Sequence, residues 1–292
     1  MKTISVIKAN GEHELFSETK VKRSMKHAGI PSEIQKQVME HVKSKLYDRI
    51  PTRKIYRHIL EFLDKSEYSK GGKHYRLKQA IMELGPTGYP FEKFVGAILG
   101  EYGHKTETGV IVAGKCVSHE IDVVAQKGNK HFMVECKFHN RPGTRSDVKV
   151  ALYVKARFED VAAVWREKPG HQTIFHQAWL VTNTKLTSDA IQFGECAGMK
   201  LIAWSYPRKG CLQDLIEGTG LHPITCLTSL SRGQKRKLLE QDIVLCRDLI
   251  RAETSLLRSL EMSEEKVEQV RREAALTCDF SSKSEDEVLA GK

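Results

Sequence analysis

No two cysteines of this 292-residue chain stand at Cys-x-x-Cys spacing, and the seven present, at 116, 136, 196, 211, 226, 246 and 278, are scattered and odd in number. A zinc ribbon or a disulfide framework is therefore not expected. Only 8 residues are proline, too few for a collagen-like or Pro-rich disordered chain. No apolar run approaches the roughly 18 residues that span a bilayer, and Met1-Lys2-Thr3-Ile4-Ser5-Val6-Ile7-Lys8 lacks the apolar core of a signal peptide. A cytoplasmic protein with no membrane attachment is the expectation. There is no P-loop, so ATP hydrolysis of that kind is not expected. What remains is a globular composition, 40% hydrophobic and 29% charged, over a length that suits about two domains.

The net charge of +10 is concentrated at one end. Residues 1–80 carry 18 Lys and Arg against 9 Asp and Glu, whereas 81–230 carry 17 against 15 and 231–292 carry 12 against 13. A basic first segment suits a polyanionic partner such as nucleotide phosphates, nucleic acid or an acidic protein face. A solvated Lys-rich surface fits the charge equally well.

Hydropathy divides the chain into three. In residues 1–85, Asn10-Gly11 between two short alternating stretches predicts a hairpin. Four helices come next: one from about Ser17, one opened by Pro31-Ser32, a third capped by Ile50-Pro51-Thr52 with Ile55, Ile59 and Leu63 at helical spacing, and a fourth after a break at Tyr68 to Gly72. Residues 88–208 read as an α/β domain. Phe91, Phe94, Val95, Ile98 and Leu99 form an amphipathic helix. Strands are predicted at 104–112, 117–126, 130–138, 178–182 and 200–204, with helices at 147–166 and 188–196, which gives a mixed sheet flanked by helices. Residues 220–275 are predicted helical, ending in one long helix from Ser255 to Ala275, and 281–292 as a disordered tail. The fold class is α/β in the centre and α+β overall. Trp165, Trp179 and Trp204 are assigned to the core.

The chemistry concentrates in the predicted hairpin around Gly128-Asn129. A two-residue loop there sets Lys127 opposite Lys130, Asp122 opposite Glu135 and Glu120 opposite Lys137, all on one face, while Ile121, Val123, Val134 and Cys136 take the other. Facing carboxylates repel, at a cost of roughly 0.2–1 kcal/mol. A divalent cation between them removes that cost, and Mg²⁺ is commonly held by one or two carboxylates plus water and phosphate. Lys137 would then stand beside the attacking water or the phosphate. Glu-x-Lys alone is a common surface pattern; the register is what distinguishes it here. His119 and His139 flank the site and are read as satisfied structural residues.

Glu92 within Tyr89-Pro90-Phe91-Glu92-Lys93-Phe94-Val95, Asp122 within Glu120-Ile121-Asp122-Val123-Val124, and Glu135-Cys136-Lys137 resemble the PD-(D/E)xK restriction-endonuclease-like superfamily, most closely its Mrr-like branch. The resemblance spans about Gly88 to Tyr206. Ile121 stands where that superfamily often has proline, and 109–119 lacks a Gly-rich run. The resemblance implies Mg²⁺- or Mn²⁺-dependent hydrolysis of DNA phosphodiesters by Asp122, Glu135 and Lys137 with help from Glu92, the metal lying on Asp122 and Glu135. An RNA substrate remains open on the residues alone.

Val6-Ile7-Lys8-Ala9-Asn10-Gly11, with Glu14, Phe16, Lys20-Val21, Ile50-Pro51-Thr52 and Tyr75-Arg76-Leu77-Lys78, resembles the ATP-cone, a nucleotide-sensing module. It implies an ATP or dATP effector site formed by Val6, Lys8, Ala9, Glu14, Lys20, Thr52, Arg76 and Lys78, with signalling through homo-oligomer formation. Ala9 replaces a usual second basic residue. In the last piece, Leu227 to Leu230 and then Gln234 to Leu239 bear a weak likeness to a helix-hairpin-helix, with Lys235, Arg236 and Lys237 as DNA-backbone contacts. A helical cap or dimerising element fits that piece as well. The expected function is thus a metal-dependent DNA endonuclease regulated by ATP or dATP. The alternative is a non-cleaving, nucleotide-responsive DNA-binding regulator.

Overall fold

The computed structural model describes residues 4–8, 11–27, 30–65, 69–165 and 175–278. The Ala9-Asn10 half of the first turn, Tyr68 and the 281–292 tail lie outside them. The chain forms two compact units, 1–79 and 80–292.

In the first unit, β1 (Ser5–Ile7) and β2 (His13–Leu15) form the expected antiparallel hairpin, with Val6 opposite Glu14. The helices are α1 (Glu18–His27), α2 (Ser32–Ser44), α3 (Thr52–Lys65) and α4 (Ser69–Met82), the last three residues of α4 falling in the second unit. Two details depart from expectation. Ile50-Pro51 is not merely a helix boundary but a third strand, β3 (Ile50–Pro51), pairing parallel to β1. The fourth helix also starts earlier, taking Gly71 and Gly72 into its first turn, where backbone N–H groups have no intrahelical partner to lose. Ile55, Ile59 and Leu63 are buried as their spacing predicts, in a core shared with Val6, Val38 and Ile50.

The second unit contains α5 (Tyr89–Glu101), β4 (Lys105–Ala113), β5 (Ser118–Lys127), β6 (Lys130–Lys137), β7 (Arg145–Ser146), α6 (Val148–Trp165), β8 (Phe175–Thr182), β9 (Lys185–Leu186), α7 (Ser188–Cys196) and β10 (Lys200–Ile202). The main sheet runs β10-β8-β6-β5-β4. Its first three strands in that order are parallel and the last three antiparallel, so β6 is the central strand where the two halves meet. β7 and β9 form a separate parallel pair. Helices α6 and α7 are the crossovers. Val154, Val161 and Trp165 of α6 and Ala190 of α7 pack in one core with Ile121, Met133, Leu180 and Leu201 of the strands. All three tryptophans are buried.

The β5–β6 loop is Gly128-Asn129, and only Gly128 has positive φ (+57°), as a loop with glycine at its first central position requires. Gly128→Val is expected to cost about 1–2 kcal/mol, the penalty of forcing a side chain into the left-handed region. Urea denaturation of the variant checks this; an unchanged midpoint would mean that the loop does not fix the register.

The sheet and the helices C-terminal to it lie in the one compact unit 80–292. Helix α8 (Leu212–Thr219) buries Leu212, Leu215 and Ile216, and Tyr102 Oη donates to the Leu215 carbonyl (3.3 Å), tying it to α5. Then come α9 (Arg232–Glu240), α10 (Cys246–Arg251), α11 (Thr254–Ser259) and α12 (Glu264–Cys278). The expected long helix from Ser255 is therefore two, broken where Glu261 takes positive φ (62°). Glu273 of α12 accepts the Thr228 N–H (2.7 Å), the Thr228 hydroxyl (2.7 Å) and the Ser229 N–H (2.9 Å), closing the segment back on its start.

Candidate active site

The hairpin register is as expected from Lys127↔Lys130 to Val123↔Val134. The ladder stops there, one residue short of pairing Asp122 with Glu135. At that point the Asp122 carboxylate itself accepts the Cys136 N–H (2.7 Å), replacing a strand–strand bond with a side-chain one. Glu120 consequently does not face Lys137; it pairs with Ile111 of β4. Strand β6 remains in register with β8 through Glu135↔Leu180 and Lys137↔Thr182, so its end is held from the other side.

Where β5 and β6 part, an open pocket of about 380 Å³ is lined by Glu92, Asp122, Glu135 and Lys137 together with Gly88, Phe138 and His139 among others. All four catalytic candidates thus share one pocket. Glu92 comes from the first turn of α5, behind Pro90 at the helix start. Asp122 and Glu135 are half-buried and Lys137 is exposed at the end of β6. Burial, then the charges of Asp122, Glu120 and Glu135, push the Glu92 carboxyl up to about 7. Burial and Asp122 do the same for Glu135, to about 7, against the pull of Arg157 and Lys137. Burial also raises Asp122, opposed first by the Cys136 N–H. A pocket that holds several carboxylates against their own repulsion suits a cation.

Arg157 is the functional residue that the sequence reading missed. It lies on the buried stripe of α6, with Ala151, Val154, Val161 and Trp165, and its guanidinium donates to the Glu135 carboxylate and to the Glu120 carbonyl. A lone arginine on an apolar stripe was the available signal. The flanking histidines are satisfied as expected: His119 Nε2 lies 2.8 Å from Asp160, and His139 Nε2 lies 2.9 Å from the Ser146 hydroxyl. Cys136 is buried, and burial pushes its thiol far above the ordinary range.

A carboxyl titrating above its ordinary value near 4.5 costs the folded state nothing below that value, and a growing amount as pH rises toward about 7. Glu92→Gln removes that cost. At pH 8 without divalent metal it is expected to stabilise the protein by about 1 kcal/mol, the half-exposed carboxyl being partly screened. The thermal-melt difference should vanish toward pH 4.5; a constant difference across pH would refute this origin.

Of the nucleotide-site candidates, Lys8, Glu14 and Lys20 meet: Glu14 Oε2 lies 3.0 Å from Lys8 Nζ and 2.7 Å from Lys20 Nζ. Val6 is buried beneath them in the core, Thr52 opens α3, and Arg76 and Lys78 lie on α4. Ala9 is outside the described residues. The three C-terminal basic residues each have a partner within the unit. Lys235 donates to the Thr225 carbonyl (2.7 Å), Arg236 pairs with Glu240 (2.9 Å) and Lys237 with Glu261 (3.3 Å). Among the described residues no helix is long and apolar enough to cross a membrane.

Residues 85–205 match the Mrr catalytic model of the restriction endonucleases, so the pocket stands in a restriction endonuclease-like domain. Residues 222–278 match the model for the C-terminal part of AF1548-like proteins. An uncharacterized protein of Archaeoglobus fulgidus is 42% identical over 177 residues, covering 61% of this chain and 95% of the relative. The crystal structure of AF1548, a protein of unknown function, superposes with a TM-score of 0.55 at 38% identity, over 66% of this chain and 98% of the other. The chain belongs to the AF1548-like family.

Proposed function

We propose that the protein is a Mg²⁺-dependent DNA endonuclease whose nucleotide-binding first unit, an ATP-cone, regulates it. The observation that carries the nuclease reading is the convergence of Glu92, Asp122, Glu135 and Lys137 in one pocket of a restriction endonuclease-like domain. The donor set fits the metal: carboxylate oxygens are the hard ligands that Mg²⁺ prefers, and burial and mutual repulsion make the charged forms of Glu92 and Glu135 costly unless a cation is near. Asp122 and Glu135 would hold Mg²⁺ or Mn²⁺, with Glu92 completing the acidic wall. When bound, the ion supplies Lewis-acid neutralisation of the phosphate and a more acidic water. Lys137, at the exposed end of β6, orients the attacking water or meets the charge growing on the phosphate. The Asp122–Cys136 bond and the Arg157–Glu135 pair hold the two carboxylates in place.

The regulatory reading rests on the hairpin with Lys8, Glu14 and Lys20 assembled at one place and on the four helices after it. ATP or dATP is an effector here, coupling by binding one of two states better. We assign its action to homo-oligomer formation and place the protein in the cytoplasm. One observation favours the rival, a non-cleaving DNA-binding regulator: the Arg157 guanidinium already neutralises Glu135. Supercoiled plasmid incubated with Mg²⁺ or Mn²⁺, with and without ATP or dATP, separates the two. Metal-dependent nicking is expected, altered by nucleotide; DNA binding without any nicking would establish the regulator.

A further inference from the structure

We propose that the first unit carries a second metal site, for a borderline transition ion such as Zn²⁺, built from His41 of α2 and His58 and Glu61 of α3. One ligand atom from each of the three lies within 4.8 Å of the others. The site is independent of the nuclease pocket and of the nucleotide reading.

The packing of the two helices creates it. Val38, Met39 and Val42 of α2 and Ile55, Ile59 and Leu63 of α3 are buried in a common core, which brings His41 and His58 to the margin of that interface with their rings 6.4 Å apart. His58 and Glu61 are one turn apart on the same face of α3, and His58 Nδ1 lies 3.0 Å from Glu61 Oε2. His41 packs near Phe62 (5.5 Å between ring centroids), and its Nε2 is buried with no hydrogen-bond partner among the described residues. An orphaned buried ring nitrogen is costly in a folded protein unless something satisfies it.

One cation answers both features. It satisfies the His41 nitrogen and takes the place of the proton between His58 Nδ1 and Glu61, a neutral imidazole then carrying its one proton on Nε2. Ligand atoms around one tetrahedral zinc stand roughly 3.3 Å apart, given bonds of about 2.0–2.1 Å, so side-chain movements of up to about 1.5 Å complete the set. Two imidazoles and one carboxylate select a transition ion over Mg²⁺, and three protein ligands leave a fourth position for water.

Co²⁺ is the probe, added to the full chain carrying Asp122→Asn so that the nuclease pocket does not compete. The expected result is one Co²⁺ per chain with the visible absorption of a four-coordinate ion, displaced by Zn²⁺. Glu61 is exposed, so Glu61→Gln keeps the fold, verified by circular dichroism, yet should weaken binding more than ~100-fold, since loss of even an outer partner costs about 10–100-fold. His58→Gln should do the same. No four-coordinate spectrum, or one unchanged in Glu61→Gln and His58→Gln, would overturn the site and leave His41 and His58 as packing residues only.

Discussion

Asp122→Asn is expected to lower metal-dependent nicking of plasmid DNA by about 10³-fold while leaving the melting temperature nearly unchanged. The reason lies in the two tasks of this side chain. Its carboxylate accepts the Cys136 N–H where the β5–β6 ladder ends, and it supplies negative charge to the pocket. Asparagine keeps an acceptor oxygen for the first task and loses only the second. Charge stabilisation by a metal contributes several kcal/mol to such a reaction, and about 4 kcal/mol corresponds to the loss given. Asp122→Ala should be equally inactive and in addition less stable by about 1–3 kcal/mol, because the Cys136 amide is left unpaired. Nicking by Asp122→Asn above a tenth of the wild-type rate would remove Asp122 from the metal site.

The second large effect concerns stability. Arg157→Met is expected to cost about 3 kcal/mol, the penalty for leaving the half-buried carboxylate of Glu135 without its cation. The Glu135→Gln/Arg157→Met pair should recover most of that loss, since removing both charges also removes the desolvation that each imposes. Urea unfolding of the four proteins forms the cycle, with a coupling well above about 1 kcal/mol expected. Mg²⁺ should restore part of the stability of Arg157→Met alone, because a bound cation is the other charge that can face Glu135. If Arg157→Met unfolds like the wild type, the guanidinium contributes nothing to holding Glu135.

Much of this site could be read from the chain because its spacing is local. Gly128-Asn129 lies only about six residues from Asp122 and Glu135, and strict alternation leaves one register that keeps Ile121, Val123, Val134 and Cys136 inside. Local pattern could not reveal where the ladder ends, since that depends on a side chain outcompeting a backbone partner at Cys136. Arg157 was hidden because its partners are 22 and 37 residues away and its position mimics an apolar stripe. The helix expected from Ser255 to Ala275 reads as continuous from charge and propensity, but Ser263, whose hydroxyl accepts the Lys266 N–H (3.3 Å), caps a new helix just after Glu261. His41 and His58 meet only because two helices pack, and no spacing rule encodes that.

Glu273 sets an order of events during synthesis. The three bonds it makes to Thr228 and Ser229 join the last described helix to a turn made 44 and 45 residues earlier. While the ribosome is still within that stretch, the turn's amides have only water to bond. The sheet and its pocket, whose strands are all complete by Ile202, can therefore be assembled before the helical segment behind them closes.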